Sequence, residues 1–97
     1  MNLHELGAAL ADPRNVFTDL GDGTGVLASI EGGRMITLNA LATSVVNVLL
    51  DANGTDPRTA LDALAGQVAG EHDVERARVE ADIDAFLATL SSALART

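Results

Sequence analysis

The chain predicts an α+β domain of order β-β-β-α-α-α: a three-stranded antiparallel sheet followed by three helices, the strands and helices segregated along the sequence. Two patterns predict it. From Asn15 to Leu38, short apolar and β-branched runs alternate with glycine-rich turns; after Leu38 the apolar spacing switches to that of helices. Length adds a bound, because 97 residues, 47% of them hydrophobic, fit one domain with one core and leave no room for a multidomain enzyme or a repeat array.

Before the strands, Leu3, Leu6 and Leu10 stand at helical spacing until Asp12-Pro13 ends the segment. Residues 1–14 are therefore read as an N-terminal arm or a short helix, with residues 15–97 as the domain proper. Val16–Leu20 reads as the first strand, Gly21–Gly25 as a turn, and Val26–Ile30 as the second strand. Glu31-Gly32-Gly33 makes a second turn and Arg34–Leu38 a third strand. Alternation places Val26, Ala28 and Ile30 on one side of the second strand, and Ile36 and Leu38 together on one side of the third.

Asn39 is a good N-cap for a helix over Ala40–Asp51, with Leu41, Val45, Val48 and Leu49 on one face. The loop Ala52–Thr55 follows. Asp56-Pro57 then caps a second helix whose stripe is Leu61, Leu64, Ala65 and Val68, ending near Gly70. A third helix opens around Asp73 and carries Val79, Ile83, Phe86, Leu87, Leu90 and Leu94.

Composition removes whole classes of chemistry. With no Cys there are no disulfides, thiolate metal sites or cysteine nucleophiles. Fourteen acids against six basic residues, all Arg, give a net charge of −8, which repels phosphate backbones. No apolar run approaches the roughly 18–20 residues that cross a bilayer, and the start lacks the features of a signal peptide, so a cytoplasmic location is expected.

The two histidines, His4 and His72, have no neighbouring ligand set; Glu71-His72-Asp73 reads as a solvated connection. Gly21–Gly25 resembles a phosphate loop in composition, but it joins two strands and carries no basic residue, so it reads as a hairpin turn. Asp19 and Asp22 lack the spacing of a calcium loop. Asn53-Gly54-Thr55 matches a glycosylation sequon and reads as a turn. Glu75, Glu80, Asp82 and Asp84 read as a solvated helix face, with a docking surface for a basic segment as the alternative. Ser91 and Ser92 have no base at hand. No enzyme is proposed by these residues, and no metal or other cofactor is implied.

What the pattern does offer is an open sheet. A three-strand meander has two edges, and an edge is a row of unpaired N–H and C=O groups. The third strand has one charge, Arg34 at its start, and an extended peptide can add to such an edge. Two bland arrangements stand beside this one: the strand lies inside the sheet, or the N-terminal arm caps it.

The string Gly33-Arg34-Met35-Ile36-Thr37-Leu38-Asn39, a strand running into Leu-Asn at the mouth of a helix, resembles the signature of the PqqD-like proteins. So do Leu49-Leu50, Thr59–Ala65 and Val79–Leu90, in that order, and the resemblance spans about Val16 to Leu94. It implies a small winged helix-turn-helix without catalytic activity. The family supplies recognition elements for ribosomally made, post-translationally modified peptides (RiPPs), and the leader segment of a precursor adds as a strand beside the third strand.

By that resemblance the peptide-binding groove would be lined by Arg34, Met35, Ile36 and Thr37 from the strand, and by Val79, Asp82, Ile83 and Phe86 from the last helix. The partners implied are a precursor leader peptide and, in trans, a modifying enzyme or leader peptidase. Lasso-peptide biosynthesis is the first expectation, with thioether-forming and cofactor-forming radical pathways as alternatives. No nucleic acid or membrane partner is expected, and a homodimer stays open. The chain departs from the family pattern in having Met35 and Ile36 where aromatics are common, Val46 in place of Trp, and Ala93-Leu94 in place of Gly-Leu.

Two other readings share these elements. A winged-helix DNA-binding regulator would need a basic recognition helix, whereas Arg76 and Arg78 are outnumbered by the acids around them. A structural dimerisation module would use the apolar stripe of the last helix as its interface.

Overall fold

The computed structural model describes residues 2–29, 33–51 and 56–94, the side chain of Arg34 excepted. The element order is α1 (Leu3–Ala11), β1 (Asn15–Asp19), β2 (Gly25–Ser29), β3 (Arg34–Leu38), α2 (Ala40–Asp51), α3 (Pro57–His72) and α4 (Arg76–Leu94). The three strands form one antiparallel meander in the order β1-β2-β3. The expected α+β class holds, with four helices in place of three. Ile30, Glu31-Gly32 and Ala52–Thr55, which include the expected sequon, lie outside the described residues.

The added helix is α1. Asn2 caps it: its side-chain oxygen accepts from the Glu5 N–H at 2.8 Å, and the Glu5 carboxylate accepts from the Asn2 N–H, a reciprocal capping box. This satisfies two otherwise orphaned donors and starts a nine-residue helix that would be marginal alone. Tertiary contact supplies the rest. Leu6 and Leu10 enter the common core, α1 packs against α2, α3, α4 and β1, and the Asn15 Nδ2 donates to the Ala9 carbonyl at 2.6 Å. The first residues thus belong to the same packed body as the sheet.

Register sets the faces of the sheet. Phe17 opposes Leu27 and Leu27 opposes Ile36, so these three share the inner face with Leu38. Leu27 and Leu38 are fully buried there, and Phe17 and Ile36 partly so. Val16, Ala28 and Met35 form the corresponding row on the outer face, where Met35 is 74% exposed. The β1–β2 connection is a turn: the Leu20 N–H donates to the Thr24 carbonyl, and Gly21 and Gly23 take φ of 84° and 90°.

The core gathers Leu6, Leu27, Leu38, Val45, Val46, Leu49, Leu61 and the inward stripe of α4. That stripe is Val79, Ile83, Leu87, Leu90 and Leu94, each at most 7% exposed. A dimer built on it would have to open the core, so the stripe is unavailable as an interface between copies. α3 runs through Gly70 to His72 and stops where Asp73 adopts a left-handed conformation (φ 53°), its N–H donating to the Ala69 carbonyl. Asp73 therefore ends α3, and α4 opens three residues later than the acidic run predicts.

Candidate functional site

β3 is an edge: among the described residues it pairs with β2 alone. The N-terminal arm does not cap it, because Leu3–Ala11 is helical and packs with the helices and β1. Thr37 and Met35 are exposed, Ile36 turns its side chain inward against the core, and the side chain of Arg34 lies outside the described atoms. The strand end is fixed by the next helix. Asn39 Oδ1 accepts from the Ala42 N–H at 2.9 Å, so α2 begins directly after Leu38.

The other wall comes from α4. At about 100° per residue, Asp82, Phe86 and Ala93 fall to one side of its buried stripe, and Glu80, Asp84 and Ser91 to the other. The second flank faces α1 and α3: Asp84 pairs with Arg58 at 3.6 Å, and Arg76, bonded to Glu80 at 3.0 Å, also donates to the Asp62 carbonyl of α3 at 3.0 Å. The first flank faces the inner side of the sheet near the end of α4 and the start of α2 near its beginning. Ala93 and Leu94 meet Asn15, Leu27, Ser29 and Ile36 around a cavity of about 10 Å³. Asp82, eleven residues earlier, borders an open groove of about 590 Å³ with Asn39, Ala40, Leu41 and Ser44 of α2 and Val68, Glu71 and His72 of α3.

This flank of α4 is thus packed on the inner face of the sheet at Ala93 and Leu94 and borders an open groove at Asp82. Of the helix residues expected to line the peptide site, Asp82 is exposed and borders that groove, while Phe86 is half-buried and packed on the core. Val79 and Ile83 are 4% and 2% exposed and form part of the packing beneath. A peptide laid along β3 would feel them only through the side chains above. Their spacing marks the buried stripe of α4, and spacing alone does not separate the centre of a stripe from its flank.

Leu41, Val68, Glu71, His72 and Ala93 border these spaces although none of them is assigned to the peptide site from sequence, where Leu41 and Val68 read as core-facing and Glu71-His72 as a solvated connection. Leu41 carried a signal, since a residue in the first turn after an edge strand must lie near that strand's end. The others come close through helix packing, which leaves no local trace. His4 is exposed on α1 and His72 ends α3, far apart in the chain and on separate elements.

Charge at the site is acidic. Glu71 accepts a hydrogen bond from Gln67 at 3.1 Å, and no cation lies within ion-pair distance of Glu71 or Asp82 among the described residues. The groups with displaced titration lie elsewhere, at the ends of β1. Hydrogen bonds from the Arg14 side chain and N–H hold Asp12 below its ordinary value, and those from the Thr24 hydroxyl and N–H do the same for Asp22.

Comparison with protein families gives a match over residues 24–93 to coenzyme PQQ synthesis protein D (PqqD). The span takes in β2, β3, α2, α3 and α4 to its penultimate residue, so it contains the β3 edge and the residues of the open groove. Comparison with curated proteins and with solved structures returned no match. A family match over this much of the chain, on the elements that build the open edge, is decisive: the protein belongs to the PqqD family, non-catalytic accessory proteins that bind precursor peptides in RiPP biosynthesis.

Proposed function

We propose that the chain is a recognition element that binds the leader segment of a RiPP precursor by strand addition at β3. The leader lies between that strand and the Asp82–Phe86 flank of α4, and the complex delivers the rest of the precursor to a modifying enzyme or leader peptidase in trans. The sheet followed by α2–α4 then corresponds to the family's winged helix-turn-helix, with α1 packed in front. The observation that carries the reading is the unpaired β3 edge inside the family-matched region. Main-chain pairing at such an edge gives affinity, and alternate side chains give specificity. Met35 and Thr37 meet the outward-pointing residues of the added strand, and Ile36 and Phe86 the inward-pointing ones.

A lasso-peptide pathway is the first candidate, with thioether-forming and cofactor-forming radical pathways next. Fluorescence anisotropy with labelled leader peptides from short reading frames near the gene tests the activity and assigns the pathway together. Ile36→Pro and Thr37→Pro should be compared, since adjacent N–H groups point to opposite sides of a strand. The variant that removes the N–H on the open side is expected to stay folded and lose binding. Binding unaffected in that folded variant would exclude strand addition at β3. Random duplex DNA is expected not to bind at low salt; salt-dependent binding to it would restore the regulator reading.

A further inference from the structure

The open groove at the end of β3 combines an apolar floor with acids that pair with no cation among the described residues. Leu41 and Val68 are half-buried and continue the core outward. Asp82 and Glu71 stand around them, and among the described residues His72 is the one basic side chain on the lining. The described arginines lie elsewhere: Arg14 pairs with Asp12, Arg58 with Asp84, and Arg76 with Glu80. Arg78, one turn before Asp82 on α4, makes no ion pair with it. Asn39, the residue after β3, also borders the groove, so a strand laid along β3 and continued past Leu38 arrives there.

We propose that this groove takes a lysine or arginine of the bound peptide, its aliphatic stem on Leu41 and Val68 and its charged head between Asp82 and Glu71. The inference rests on the strand-addition reading and adds a side-chain requirement to it. A long basic side chain suits such a lining because its methylenes cover apolar surface while its head stays near water. An acidic or wholly apolar side chain would leave the carboxylates uncompensated. At about 3.4 Å per residue, the run from Met35 to Asn39 places the basic residue roughly four positions from the one beside Met35. Arg78 and protonated His72 are the internal competitors, and both would weaken capture of the incoming cation.

Selection of a displayed random peptide library on the whole protein tests this, followed by titration of selected peptides against Asp82→Asn, Glu71→Gln and Asp82→Lys. Selected peptides are expected to need the β3 edge and to carry Lys or Arg about four residues from the position beside Met35. Replacing that residue with Ala should weaken binding roughly two- to fivefold at low salt, as for a half-exposed ion pair. The same substitution should matter little in Asp82→Asn, and Asp82→Lys should select an acidic residue there instead. Peptides that need β3 but show no basic preference, or the same preference in all variants, would overturn this proposal and leave strand addition standing. If no peptide is selected, or binding ignores the proline substitutions in β3, strand addition itself fails and this proposal with it.

Discussion

Replacing Leu6 with Ala asks whether α1 is part of the fold. Leu6 is 1% exposed and sits in the same cluster as Leu49, Leu61 and Leu90, so truncation removes buried methyl and methylene groups and leaves a cavity. Such changes cost about 2–5 kcal/mol. The close approach of α1 to α2, where a Cβ on Gly7 would lie 3.3 Å from the Leu49 carbonyl, limits how far the helix can sink into the space. A middle value of about 3 kcal/mol is a large share of the roughly 5–15 kcal/mol that stabilises an ordinary domain. It should lower the melting temperature by roughly 12–24 °C in a chain of this size. Urea titration followed by circular dichroism is the assay, with a lower midpoint and an unchanged slope expected. His4→Ala, on the exposed side of α1, should stay within about 0.5 kcal/mol of the parent. A Leu6→Ala midpoint indistinguishable from that of His4→Ala would show that α1 contributes nothing to the folded state.

Thr43 is 3% exposed and its Oγ1 has no hydrogen-bond partner among the described residues, so Thr43→Val should be neutral or stabilising by up to about 1 kcal/mol in the same titration. Gly25→Ala should destabilise by roughly 1–3 kcal/mol, because the new Cβ would lie 3.0 Å from Phe17 and from the Thr18 carbonyl. Met35→Ala should leave the urea midpoint within about 0.5 kcal/mol of the parent while weakening leader binding, measured by anisotropy. Asp12 and Asp22 titrate below the unfolded value of about 3.9, so what they contribute is present above that pH and is lost as pH falls through their lowered folded values. Urea midpoints between pH 6 and pH 2 should therefore fall less steeply for Asp12→Asn and Asp22→Asn than for the parent.

Elements whose ends are set locally were readable in the sequence. β3 and α2 have their expected bounds because the glycine turn before Arg34 and the Asn39 cap are local signals. β1 lies one residue earlier than its apolar run suggests and β2 begins one residue earlier, since pairing of Asn15 with Ser29 and of Asp19 with Gly25, together with the bond from Asn15 to Ala9, fixes the ladder. α3 passes Gly70 because a single glycine costs a helix only about 1 kcal/mol, and the stop comes from the left-handed backbone of Asp73. Three leucines marked α1 as a candidate helix, but its place in the core depends on packing against helices more than 30 residues away. The same limit explains the site. The β3 edge and Asp82 follow from pattern, whereas the burial of Val79 and Ile83 follows from which side of α4 meets the core. Ile83→Asp would consequently report on folding, and Asp82 and Phe86 are the α4 positions whose substitution bears on peptide capture.

The unpaired β3 edge also bears on how the protein behaves in concentrated solution. A strand that accepts a peptide can accept the same strand of another copy, and the two events exclude each other. This strand is only five residues long, and each copy carries a net charge of −8, so two copies repel as their edges approach. Salt weakens that repulsion, shortening its range from about 30 Å at 0.01 M to about 8 Å at 0.15 M. Ionic strength therefore sets the balance between a monomer ready for its ligand and a self-paired form whose edge is already occupied, and a saturating peptide should disperse the latter.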